Sequence, residues 1–368
     1  MKMFYVYSVT AIPRMWQTRR KTDRSSPQDH PAYHSNGYTP NMTLPLDDRL
    51  RIGVQGIHRH VESSPGPWRP AQAELRALVE RIDRAGYDSL WVGDHISFPL
   101  SILDPLLQIA QAAMVSSRLT FGTGVYLLPL RNPAAVAKQV STLDHLTEGR
   151  LIFGVGVGGE FPKEYEACGV PRAERGARLG EGIEAMRQLW GGKPATYEGK
   201  HYRFADVAMQ PPPRTPGGPP IWCGGRSDAA LARTGRLANG WLSYVVTPEM
   251  YRTALDKIAQ SAAEHGRKLS SFGTSHLLFV RVDKTYDAAL DAASAMLSQR
   301  YAMDFRKATQ RYAALGEPAQ VAEKIQAFHD AGVRHLVLDF VGPPEDRDAQ
   351  IDWFAAEVMP RLRSLMGR

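Results

Sequence analysis

The sequence predicts an α/β fold, a closed (β/α)8 TIM barrel with an insertion after the fourth strand and a long segment between the seventh and eighth. Three observations carry this reading. Eight short apolar runs follow one another from residue 52 onward, near-continuous as parallel strands buried on both faces must be. Stretches with helical spacing separate them. The eight units take up roughly 320 residues, which suits a barrel with insertions better than an open doubly wound sheet, the other arrangement of alternating strands and helices.

The runs are IGVQGI (52–57), SLWV (89–92), LTFGTGV (119–125), LIFGVGV (151–157), PIWCGG (220–225), GWLSYV (240–245), SHLLFVRV (275–282) and HLVLDFV (335–341). Between the first two, Leu75, Leu78, Val79 and Ile82 repeat at helical spacing, and Gly86 stands where a C-terminal stop belongs. Val136, Val140, Leu143 and Leu146 mark a second helix, opened by Asn132 as cap and Pro133 as first residue and closed by Gly149. Leu179, Ile183, Met186 and Leu189 mark a third. Val321, Ile325 and Phe328 mark a late one, between Pro318 and Gly332. The insertion spans about residues 191–219, and its YEGKHYRF reads as a small hairpin of its own. The other long gap covers about residues 283–334.

The barrel accounts for residues 46–366. Residues 1–45 read differently. A short apolar run, MFYVYSVTAI, precedes WQTRRKTDRSSPQDHPAYHSNGYTPN, which is polar and full of turn formers. Pro13-Arg14-Met15-Trp16 is a poor signal-peptidase site. The segment is therefore expected to be a disordered extension, with Met42 as an alternative start.

Composition narrows the function. The net charge of +7 is spread along the chain without a Lys/Arg stripe interleaved with aromatics, which argues against a nucleic-acid partner and leaves anionic small molecules. Two cysteines, Cys168 and Cys223, have no CxxC spacing, so neither a disulfide framework nor a zinc site is expected, and a reducing cytoplasmic compartment fits. No apolar run reaches the roughly 18 residues of a membrane span.

Barrel enzymes place their chemistry at the C-terminal ends of the strands. The second end presents Asp94-His95, an acid beside a group that titrates near neutral pH and can give or take a proton. Equally, Asp94 caps a turn there and His95 is merely exposed. The fourth end contains GxGxxG at Gly154, Gly156 and Gly159, but Glu160-Phe161-Pro162 follows and the helical period starts only near Arg172, so a dinucleotide fingerprint fails on context. Glycines in a tight turn, or glycines that let a flat ring approach the backbone, remain. GGRSDAAL (224–231) runs from a strand end straight into a helix with Ser227 or Asp228 as cap, a backbone suited to phosphate, and Arg226 adds charge. His58 and His60 form an HxH at the first end, as in metal-dependent barrel hydrolases. Asp339 on the eighth strand is in keeping, but the fifth and sixth ends supply no histidine, so no metal is assigned.

Taken in order, LWVGDHISFP, LTFGTGVYLLPLRNP, LDHLTEGRLIFGVGVGGEFPKEYEACGVPRAERGARL, YEGKHYRF and PIWCGGRSDAALARTGRLANGWL resemble the luciferase-like monooxygenase superfamily, and most closely its branch that uses the deazaflavin coenzyme F420. The resemblance runs over roughly residues 50–365, and the Gly-Asp-His after the second strand points to the F420 branch rather than the FMN-dependent one. It implies a small-molecule oxidoreductase, a homodimer, and a flavin-type ring at the barrel mouth. Thr123, Gly124 and Val125 match the bulge behind the ring, often built on a non-prolyl cis peptide. Gly158, Gly159, Gly224, Gly225, Arg226 and Ser227 match the cradle of the phosphate tail, with Lys163, Arg172 and Arg175 as further tail contacts. Asp94 matches a cofactor-contacting acid, and His95 the residue beside the redox carbon. Glu160 stands one residue away from a family acid. Phe98, Trp68, Tyr126, Phe161 and Tyr244 are expected to line the pocket.

Overall fold

The eight apolar runs close into one parallel barrel. The computed structural model describes residues 44–56, 71–98, 102–301 and 303–367. The extension to residue 43 and the stretch 57–70, with His58, His60 and Trp68, lie outside the described residues. The strands are β1 (Arg51–Gln55), β2 (Ser89–Val92), β3 (Thr120–Thr123), β4 (Leu151–Val155), β5 (Ala195–Glu198), β6 (Arg203–Val207), β7 (Ile221–Gly224), β8 (Gly240–Tyr244), β9 (Gly273–Val282), β10 (Ala314–Gly316) and β11 (His335–Phe340). The barrel runs β1-β2-β3-β4-β7-β8-β9-β11 and closes where β11 pairs with β1 through Arg51 to His335. All eight of its strands lie where the apolar runs predict them.

The helices are α1 (Gln72–Arg84), α2 (Pro105–Ala113), α3 (Pro133–Leu146), α4 (Pro162–Ala167), α5 (Arg175–Leu189), α6 (Asp228–Leu237), α7 (Pro248–Glu264), α8 (Tyr286–Tyr301), α9 (Arg306–Tyr312), α10 (Pro318–Asp330), α11 (Arg347–Trp353) and α12 (Arg363–Met366). The start signals act as predicted. Asn132 accepts from the Ala134 N–H at the head of α3, with Pro133 in the first position, where its missing N–H costs nothing. Gly149 follows α3 at φ +78° and Gly332 follows α10 at +107°, backbone that only glycine adopts without strain.

The insertion holds the antiparallel pair β5–β6, so YEGKHYRF is the hairpin its sequence suggests. The gap between the last two barrel strands holds α8, α9, β10 and α10, with β10 added in parallel to the outer half of β9. One expectation is corrected. A helix begins at Pro162, well before Arg172. At six residues α4 is too short to show a period, and only Pro162 in its first turn marks it.

Side chains fill the barrel. Trp91 and Trp222 pack at 5.5 Å between ring centroids, with Leu242 and Val337 beside them. Beneath them His335 meets the Ser89 hydroxyl at 2.7 Å, and burial pushes its pKa down to about 3, so it stays neutral. This plug closes the interior below and leaves the strand C-termini as the open end.

Candidate active site

At the end of β2, Asp94 and His95 point to different tasks. The Asp94 carboxylate is fully buried. Its Oδ2 accepts from the Leu127 N–H at 2.8 Å and from Arg131 Nη1 at 2.5 Å, and its Oδ1 accepts from Arg131 Nη2 at 2.8 Å. Burial raises the Asp94 carboxyl above its usual range against the pull of Arg131. Burial also works against the Arg131 charge, but there the ion pair wins and the guanidinium is held above its ordinary value. The guanidinium lies 4.2 Å over the Tyr126 ring. Asp94 thus clamps the segment that leaves β3. Tyr126, expected on the pocket wall, is core instead, 2 % exposed beneath Arg131.

His95 stays partly open. Its Nδ1 lies 3.1 and 3.2 Å from the two oxygens of Glu164, whose side chain is wholly buried. Glu164 also accepts from the N–H groups of Ile96 at 2.6 Å and Ser97 at 3.1 Å. Burial pushes its carboxyl up, but His95 and the two amides outweigh that and hold it below the usual glutamate range. An ionised carboxylate on Nδ1 makes that nitrogen the donor and leaves Nε2 to exchange a proton. The His95 ring stacks on Phe98 at 4.2 Å, and Phe161 meets Phe98 edge-on at 4.6 Å. Glu160 is exposed at the mouth, and the carboxylate that meets His95 is Glu164, one turn further on. Sequence reading missed Glu164 because it lies in the short helix α4. The signal was present: Pro162 opens a helical turn that carries Glu164 back toward β2.

The neighbouring strand end carries the bulge. The Gly124–Val125 peptide is cis. Gly124 N donates to Val92 O at 2.7 Å and Tyr126 N to Gly154 O at 2.7 Å, which ties the bulge to β2 and β4. The Thr123 hydroxyl donates to the same Gly154 carbonyl. Val125 then lies between two glycines. A Cβ on Gly156 would stand 2.4 Å from Val125 Cγ2, and one on Gly224 2.8 Å from Cγ1. Trp91 underlies Gly124, and the buried Gln55 Oε1, which has no partner among the described residues, lies 3.4 Å from where a Gly124 Cβ would be.

The remaining predicted residues gather on the β4 and β7 side. Gly159, at φ +109°, has Arg175 Nε and Arg172 Nε within 3.3 and 3.4 Å of its Cβ position. Gly158, at φ +57°, packs on Leu127. Gly225 leads into α6, where the Ser227 hydroxyl accepts the Ala230 N–H at 3.3 Å, so Ser227 is the cap. Arg226 Nη1 donates to the Val245 carbonyl at 2.7 Å. Among the described residues the buried Nε atoms of Arg172 and Arg233 have no hydrogen-bond partner, and Arg233 reaches the head of α5. Lys163 is exposed and pairs with Glu166 at 2.6 Å. Among the described residues no three His, Cys, Asp or Glu side chains are grouped to hold a metal ion.

A barrel mouth with a glycine-flanked bulge on one side and an arginine-lined helix terminus on the other agrees with one family. The model of the luciferase-like monooxygenases matches residues 54–335. The chain belongs to that family. Among its luciferase-like relatives, an F420-dependent glucose-6-phosphate dehydrogenase of Nakamurella multipartita is 28% identical over 80% of this chain and 94% of its own. A 4-hydroxyprotoasukamycin monooxygenase of Streptomyces nodosus subsp. asukaensis is 34% identical over 58% of this chain and 60% of its own. Two solved structures share the fold. An F420-dependent secondary alcohol dehydrogenase in complex with an F420-acetone adduct superposes with a TM-score of 0.72 at 20% identity, covering 84% of this chain and 98% of that one. The coenzyme F420-dependent tetrahydromethanopterin reductase of Methanopyrus kandleri does so with 0.67 at 21%, covering 85% and 99%.

Proposed function

We propose that the protein is an F420-dependent oxidoreductase that moves a hydride between the deazaflavin and a small organic substrate. The observation that carries this reading is His95, held through Nδ1 by a buried, ionised Glu164, on the strand next to the Gly124–Val125 bulge. The residues fit the cofactor. Gly156 and Gly224 keep side chains away from the bulge, the orphaned Gln55 oxygen offers a ring N–H an acceptor, and the capped start of α6 with Arg172, Arg175 and Arg233 suits an anionic tail. The F420-dependent relatives support the same choice.

When bound, F420 supplies a ring carbon that accepts or gives hydride. The chain does the rest. With an alcohol in the site, His95 Nε2 would take the substrate's O–H proton in the oxidising direction and return it in the reverse. Glu164 stabilises the imidazolium so formed. Asp94 acts one step back, fixing Leu127 and Arg131 and through them the bulge. Phe98 and Phe161 cover part of the His95 ring. A homodimer, on the resemblance, and a cytoplasmic setting, on the two widely spaced cysteines, are part of this reading.

The alternative is an FMN-dependent luciferase-like monooxygenase; the 34% identical relative is named as a monooxygenase. A screen of small alcohols and carbonyl compounds, followed through F420 absorbance, tests the proposal. Substrate-dependent change that is lost in His95→Ala, with F420 affinity within a few-fold of wild type, is expected. Full turnover in His95→Ala would remove His95 from the mechanism.

A further inference from the structure

Across the barrel from His95, a second polar group stands at a strand C-terminus. His95 follows β2, and in the barrel order β8 and β9 lie on the opposite side. There Tyr244, the last residue of β8, shares a hydroxyl–hydroxyl hydrogen bond with Tyr301 at the end of α8. Beside them Arg300 and Asp339 form an ion pair, Nη1 to Oδ2 at 2.6 Å, with side chains 9% and 6% exposed. The guanidinium lies over Phe279, and Phe279 packs edge-on to Tyr244 at 5.7 Å.

A buried ion pair contributes little net stability against an apolar replacement, so its retention calls for another reason. Two features point to a ligand. Arg300 Nε is buried with no hydrogen-bond partner among the described residues, a donor left over after Asp339 has taken the other edge of the guanidinium. And Val245, next to Tyr244, is a buried β-branched residue at φ +53°, a conformation that costs on the order of 1–3 kcal/mol and that persists where surrounding structure imposes it. Arg226 holds the Val245 carbonyl in that turn.

We propose that Tyr244, Tyr301 and Arg300 form the substrate-recognition pole of the site, and that it selects an uncharged substrate carrying an acceptor oxygen on an apolar or aromatic frame. This rests on the oxidoreductase reading above and names its substrate class. The pole offers hydroxyl and N–H donors; of the two cations within electrostatic reach of Tyr244, Arg300 is neutralised by Asp339 and Arg226 is engaged with the Val245 carbonyl. A phosphate dianion placed here would have to displace Asp339 and would face Glu160, which lies within electrostatic reach of Tyr244. The geometry therefore separates this chain in specificity from the relative named for glucose 6-phosphate.

The test is a binding titration with two probes, cyclohexanone and glucose 6-phosphate. Binding is read from F420 fluorescence in the F420-loaded protein and from tryptophan fluorescence in the F420-free protein. Cyclohexanone should saturate at least tenfold more tightly than glucose 6-phosphate. Tyr244→Phe and Tyr301→Phe, which keep the packing, should each weaken cyclohexanone about fivefold. Asp339→Asn, which keeps the shape but frees the Arg300 charge, should raise glucose 6-phosphate affinity at least fivefold. A merely structural pair would not give that gain. Tighter binding of glucose 6-phosphate by the wild type, cyclohexanone affinity untouched by both tyrosine changes, or saturation by neither probe would overturn the proposal. Failure of F420 itself to bind would count against the cofactor reading, while the tryptophan titration would still decide the pole.

Discussion

Replacing Glu164 with Gln removes one charge and alters little else. The amide oxygen can still accept from Ile96 and Ser97, the two backbone donors at 2.6 and 3.1 Å, so the loop after β2 keeps its anchor. The contact with His95 changes in kind. Glutamine presents an NH2 to Nδ1, which must then accept, and the ring proton moves to Nε2. A hydrogen bond to a charged group is worth about 1.5–3 kcal/mol, and at about 1.4 kcal/mol per tenfold the loss is roughly 10- to 100-fold in turnover. Affinity for F420 should stay within about threefold, because Glu164 touches His95 and the 96–97 backbone rather than the arginine-lined tail site. The assays are steady-state turnover and nitrogen NMR of the histidine ring, which distinguishes the two tautomers. Turnover within twofold of wild type, or an unchanged His95 tautomer in Glu164→Gln, would refute the reasoning. The stability contribution has a sign as well. Because Glu164 is held below the ordinary glutamate range, its contribution is present above that range and is lost as pH falls through its lowered value, so the stability gap between wild type and Glu164→Gln should shrink as pH falls below the ordinary glutamate value of 4.5.

Other outcomes follow from the same geometry. Gly156→Ala would drive a methyl to 2.4 Å from Val125 Cγ2; destabilisation of about 1–3 kcal/mol in urea melts and weaker F420 binding are expected. Arg131→Met leaves the Asp94 carboxylate buried without its partner and should cost about 3–5 kcal/mol, measured the same way; Asp94→Asn in that background should recover part of it. His276 and His335 are both pushed by burial down to about 3, so the folded state excludes protons that the unfolded chain takes up below pH 6.5. Stability should therefore fall as pH drops, by about 2 kcal/mol for each histidine between pH 6.5 and 5, and denaturant titrations at the two pH values would read it.

The strands were legible because each is buried on both faces and so reads as a bare apolar run. Asn132, Pro133 and Gly149 marked α3 because caps are local chemistry, set by the residues that carry them. The site was legible where one strand end holds it, as at Asp94-His95 and Gly124-Val125. It was not legible where partners come from distant segments. Glu164 is 69 residues from His95, and its helix is too short to show a period. Arg131 is 37 residues from Asp94, so an acid expected at the cofactor proves to be bonded to the protein itself. Tyr126 is aromatic at a strand end, as a pocket residue would be, yet the Arg131 guanidinium covers it. The pole around Arg300 and Asp339 needs β11 and α8 to meet, and no spacing along the chain announces that.

Competitive titration of the purified protein with F420 and with FMN tests the central claim most directly. Trp91 lies beneath the Gly124 bulge with Trp222 packed beside it, so a ring seated there should quench their fluorescence. The account predicts saturable quenching by F420 at concentrations where FMN produces little, and weaker F420 binding in Gly156→Ala. Preferential quenching by FMN, or none by either, would contradict it.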